Sequence, residues 1–294
     1  MPFHRTPAFD AFVAPARRRP ALWRLAAGLV LAGALWLAAV AALLRAASGL
    51  GAGPRGVLLL YLASFAGLAL GTALAARLLH GRGAATLLGP RGFQPRAFAL
   101  GVAAVATVAL LSSAATLAFG APLRQTSLGA WMRLLPLALP LVLLQTAAEE
   151  TLFRGYLLQS LAARFRSPLA WALAPALAFG ALHWNGPALG RDAWLAVAAA
   201  AAIGLAFADV TARTGNLSAA IGLHFGNNVA ALLIVAMPGP TGALGFWLAP
   251  VDAAHPMRAW LLADIATTLA AWGLFRLVLA RRERRLHSRD RSSI

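Results

Sequence analysis

Inside the apolar run Leu139–Leu161, LPLVLLQTAAEETLFRGYLLQSL, sit two adjacent carboxylates, Glu149 and Glu150, and an arginine, Arg154. A charge at the centre of a bilayer costs roughly 2.5–3.5 kcal/mol on insertion scales. Three would together cost on the order of 8–10 kcal/mol unless something offsets them. Glu150 and Arg154 are four residues apart with the acid first, the favourable order for an ion pair on a helix. Glu149 points about 100° away and has no sequence-local cation. It is the carboxylate left free to act as a general base.

Two further apolar runs carry polar groups at helical spacing. ALAFGALHWNGP places Phe179 and His183 four apart, and IGLHFGNNVAALL places His224 and Asn228 four apart. Of six histidines, these two lie inside hydrophobic runs. Glu149, His183 and His224 lie 15, 15 and 11 residues from the nearest polar boundary at Arg164, Pro168 and Arg213. At the rise of a helix these are depths of about 22, 22 and 17 Å, close to one layer. Such a set supports two kinds of hydrolysis. Glu149 could take the proton of a water held by His183, with His224 and Asn228 stabilising the oxyanion. Alternatively Glu149, His183 and His224 could hold a divalent metal such as zinc and leave a coordination position for water. The zinc-protease signature H-E-x-x-H is absent, so that route adds nothing. No cofactor is certain from the residues.

These groups need helices that cross a membrane. The chain has 294 residues, 60% of them hydrophobic and 12% charged, against about a quarter charged in an ordinary soluble domain. Eight apolar runs are long enough to span: Leu25–Leu44, Val57–Ala76, Ala97–Phe119, Leu134–Leu161, Leu169–Trp184, Ala193–Ala208, Leu217–Ala236 and Trp260–Phe275. The expected fold is all-α and polytopic, one membrane domain over 1–294 with about eight helices around a buried polar cavity. The site-bearing core is 134–236, and basic tails occupy 1–24 and 277–294. There is no cysteine, which excludes a disulfide framework and a Cys-based zinc site.

The net charge of +17 comes from arginine without any lysine. Five arginines precede the first run, four, two and one fall in alternate connections, and seven follow the last run, 19 of 26 in all. By the positive-inside rule both termini are cytoplasmic in a multi-pass protein of the cell membrane. Topology thus accounts for the charge, and no nucleic-acid partner is expected. The C-terminal RRERRLHSRDRSSI suits anionic headgroups. Asp209 reads as interfacial and Asp264 as helix packing or cavity hydration. His4, His80, His255 and His287, outside the runs, read as solvated.

The ordered triple Glu149-Glu150-x-x-x-Arg154, Phe179-x-x-x-His183 and His224-x-x-x-Asn228 resembles the CAAX prenyl endopeptidase and bacteriocin-processing (CPBP, or Abi) family of intramembrane proteases. The resemblance implies eight helices around a wet conical cavity and cleavage of membrane-associated or C-terminal peptides. It gives water activation to Glu149 and His183 and the oxyanion hole to His224 and Asn228. Glu150, Arg154 and Phe179 would support them. It implies a glutamate-dependent or metallo-endopeptidase, a peptide or membrane-protein substrate and a lipid bilayer, with no obligate protein partner evident. Other uses of the same residues are an ion- or proton-coupled transporter, or a non-catalytic immunity or scaffold protein in which they only join helices.

Overall fold

The computed structural model describes residues 5–117, 121–251 and 257–292. His4 and His255 lie outside them, as does the side chain of His287. The chain is helical nearly throughout, because backbone groups in hydrocarbon must be satisfied within their own segment. Among the described residues, six helical stretches are long and apolar enough to cross a membrane, and two shorter apolar helices, Leu169–Ala181 and Ser218–Ile234, lie at the other two expected positions. The protein is a multi-pass membrane protein.

The helices are α1 (Pro7–Val13), α2 (Leu22–Gly49), α3 (Pro54–Ala63), α4 (Phe65–His80), α5 (Ala85–Leu88), α6 (Pro95–Leu117), α7 (Leu128–Glu150), α8 (Gln159–Arg164), α9 (Ala174–Ala181), α10 (Gly186–Leu189), α11 (Ala193–Thr214), α12 (Ser218–Val229) and α13 (Met257–Ser292). α3 and α4 form one span bent at Ser64, whose hydroxyl donates to the Tyr61 carbonyl at 2.6 Å. α7 contains Pro136 and Pro140; it runs through the π-helical segment Thr151–Leu158 into α8. α2 packs on α4, α6 on α12, α9 on α11, and α13 on both α6 and α11. Glycine makes the closest of these approaches possible. A Cβ on Gly180 would lie 2.6 Å from the Val197 carbonyl, and one on Gly101 2.6 Å from that of Ala219.

Four segments expected on one side of the membrane meet at one end. Arg5 donates to the Ala162 carbonyl, Thr6 to that of Ala212, and Gln159 to those of Phe12 and Thr86. Asn216 donates to the Gly92 carbonyl and the Leu217 amide to that of Leu88. Residues 7–18, ahead of the first span, are helical, although the composition reads as a basic tail. Thr6 caps α1, and Phe9, Phe12 and Val13 are fully buried against Leu158, Trp171 and Leu217.

Other parts of the chain differ from their reading in the sequence. His80 is buried, with Nε2 2.8 Å from the Tyr156 hydroxyl and Nδ1 3.1 Å from the Arg19 carbonyl. It follows an apolar run in a stretch rich in glycine and arginine, so nothing local signals its burial. Asp209 is buried as well. It accepts from Arg213 at 2.9 Å and Trp272 at 3.1 Å and lies 3.6 Å from Arg276, tying α11 to α13. The expected last tail continues α13 as helix to Ser292. Between the long connections lies a three-stranded sheet of two-residue strands, β1 (Leu123–Arg124), β2 (Val235–Ala236) and β3 (Trp247–Leu248), in the order β1-β3-β2. β1 pairs antiparallel and β2 parallel with β3.

Candidate active site

Glu149 and Glu150 end α7, and the π-helical Thr151–Leu158 follows at once. The other two site-bearing helices also carry π segments, Leu169–Leu173 ahead of α9 and Ala230–Ile234 after α12. Such segments re-aim side chains at the expense of regular backbone bonding and often occur at functional sites.

The expected Glu150–Arg154 pair forms. Arg154 Nη1 donates to Glu150 Oε1 at 2.7 Å and Nη2 to the Gly204 carbonyl at 3.1 Å. Both side chains are at most 2% exposed. The guanidinium carbon lies 4.9, 5.5 and 5.9 Å from the ring centres of Phe179, Phe207 and Phe153, so aromatic faces take the place of water around the cation.

Glu150 has a second partner that spacing does not reveal. His224 Nδ1 lies 2.8 Å from the same Oε1. A carboxylate oxygen already bound by a guanidinium can only accept, so Nδ1 carries a proton and Nε2 is the atom presented to the site. Nε2 faces Glu149 Oε2 at 3.5 Å. That Oε2 is buried without a hydrogen-bond partner among the described residues. The result is an ordered line from Arg154 through Glu150 and His224 to Glu149.

His183 sits apart from this line. It is exposed at the end of α9, and among the described residues it makes no hydrogen bond to Glu149. Its Nδ1 lies 2.8 Å from the Phe179 carbonyl; a carbonyl only accepts, so Nε2 is again the free atom. The Phe179 ring contacts both imidazoles, 4.5 Å from His183 and 5.9 Å from His224 between ring centres. Asn228 donates through Nδ2 to Gln145 Oε1 at 2.8 Å, which leaves its second N–H available.

Sequence reasoning passed over Gln145, Phe207 and Tyr61. Gln145 is a polar residue one helical turn before Glu149, the spacing already used for the other pairs. Phe207 stacks 5.5 Å from His224 but stands in an alanine-rich run that carries no such signal. Tyr61, on α3, lies within electrostatic range of Glu149.

Among the described residues, no three histidine or acidic side chains are gathered as a metal site. Of the three candidate ligands, Glu149 and His224 face each other while His183 stands outside their contact. This arrangement does not fit a three-ligand metal, and no step below is routed through one.

Residues 130–230 match the profile of the family described as type II CAAX prenyl endopeptidase Rce1-like. Over 96 residues the chain is 36% identical to the uncharacterized protein YyaK of Bacillus subtilis (strain 168), covering 33% of this chain and 32% of that protein. The chain thus aligns with about a third of the length of the curated relative it matches. No solved structure gives a significant match. The matched segment, about a third of the chain, contains all three motifs and every side chain of the line from Arg154 to Glu149.

Proposed function

We propose that this protein is an intramembrane endopeptidase that hydrolyses membrane-associated or C-terminal peptides through a water activated by Glu149 and His183. The observation that carries the reading is the buried, unpartnered Oε2 of Glu149 facing a histidine whose other nitrogen is held by an ion-paired carboxylate. A lone acceptor in such a place is a proton acceptor in waiting. Glu149 takes the proton of a water steadied by His183 Nε2, and the hydroxide attacks the scissile carbonyl. His224, as an imidazolium with Nδ1–H on Glu150 and a second N–H at Nε2, and the free N–H of Asn228 donate to the oxyanion. The tetrahedral intermediate collapses as Glu149 returns its proton to the leaving amine. Glu150 holds the ring of His224 in one orientation through Nδ1, Arg154 holds Glu150, and Phe179 spaces the two rings.

The test is cleavage of a membrane-peptide library by the purified full-length protein, wild type beside Glu149→Gln and His183→Ala, with and without a chelator. Cleavage in the wild type that survives the chelator and is lost in both variants is the expected result. Retained cleavage in Glu149→Gln overturns the proposal. Solute flux in proteoliposomes without cleavage products would favour transport instead.

A further inference from the structure

At the end of the bundle where α1 is tucked in, a cleft of about 470 Å³ lies between the N-terminal segment and the exit of α8. Its walls carry Arg5, Arg17, Arg164 and Arg166, one carboxylate, Asp10, and the rim residue Phe165. The space equals on the order of fifteen water volumes, room for a phosphate ester with its glycerol.

Charge in the cleft is unbalanced. Asp10 pairs with Arg17 at 2.5 Å and Arg5 at 3.3 Å. Arg5 also donates to the carbonyls of Ala162 and Phe165, which fixes its guanidinium against the wall. Among the described residues, the side chains of Arg164 and Arg166 have neither a hydrogen bond nor an ion pair. Four cations around one anion leave three positive charges without a counter-ion, on walls held rigid by the burial of Phe9 and Phe12.

Position completes the argument. The span Leu128–Arg164 ends at the cleft, and the span Leu22–Gly49 begins just after Arg17. The cleft therefore stands at headgroup depth, on the end where most arginines gather. Basic pockets between helices at this level hold phospholipid phosphates, and guanidinium groups bind them as forks. We propose that this cleft is a specific site for the headgroup phosphate of an anionic phospholipid, which bridges Arg164 and Arg166 to the N-terminal segment and locks α1 onto the bundle.

The experiment uses full-length protein in zwitterionic phosphatidylcholine nanodiscs, titrated with phosphatidylglycerol and monitored by thermal unfolding. The wild type should show a saturable rise in Tm. Arg164→Gln/Arg166→Gln, which removes only the two unpaired cations, should unfold like the wild type without the anionic lipid and bind it roughly 25-fold more weakly. A matched variant at the opposite end, Arg45→Gln/Arg133→Gln, should titrate like the wild type. Equal weakening in both double variants would reduce the effect to diffuse surface charge and overturn the proposal. An equal Tm rise with inorganic phosphate alone would make the site one for a soluble anion and also overturn it. Since peptidase activity is not the readout, failure here and failure of the proposed function are separable.

Discussion

Arg154 is held by one carboxylate, one carbonyl and three aromatic faces, with no bulk water to replace any of them. Removing one partner of a buried pair leaves the other charge uncompensated, at about 3–5 kcal/mol. Arg154→Met should therefore lower stability by that amount in denaturant or thermal unfolding of the solubilised protein. Glu150→Gln has a different signature. It removes the anion that holds Nδ1–H of His224 and stabilises its charged ring, so the proposed peptidase should lose on the order of 1,000-fold in kcat. Gln145 separates geometry from charge: Gln145→Glu keeps an acceptor for Asn228 and should retain most activity, while Gln145→Leu should lose about tenfold or more. Comparable kcat in those two variants would mean that the Asn228 contact does not position the amide for catalysis.

Elements hold these groups through close contact of backbones. With a Cβ only 2.6 Å from the Val197 carbonyl, Gly180→Val must push α9 off α11. α9 carries Phe179 and His183, so the variant should lose both stability and cleavage, and the more conservative Gly180→Ala should lose less of each. α1 acts as a plug at the other side of the helix end. Phe9 packs 4.7 Å from Trp171 between ring centres, and Phe9→Ala should cost about 3–5 kcal/mol in thermal unfolding. Composition alone makes the first 24 residues a basic tail, because their arginines dominate the average. Phe9, Phe12 and Val13 fall at helical spacing and find an apolar socket made from three distant segments. Two-residue strands such as β1 to β3 are too short to show an alternating pattern at all.

For the whole molecule, the absence of cysteine makes the topology directly testable. Single cysteines in place of Arg91 or Arg166 should react with an impermeant thiol reagent from one side only. Cysteines replacing Arg124 or Arg191 should react from the other. The hydrogen bonds that join 5–12, 86–92, 159–165 and 212–217 put the first pair at one end of the bundle, and the charge pattern expects that end in the cytoplasm. Labelling of all four positions from one side would reject the eight-span arrangement.

Hydrophobic run length was sufficient for the membrane class and the approximate spans, since these depend on transfer of each segment into hydrocarbon and not on its neighbours. Helical spacing was sufficient for Glu150–Arg154, because both residues stand on one helix. Contacts between helices carry no spacing signal. Only the packed structure joined His224 to both glutamates, set Asn228 against Gln145, buried His80 and Asp209, and left His183 across the Phe179 ring from His224. Depth along a helix axis is written in the chain; the direction a side chain takes across the bundle is settled by how neighbouring backbones approach.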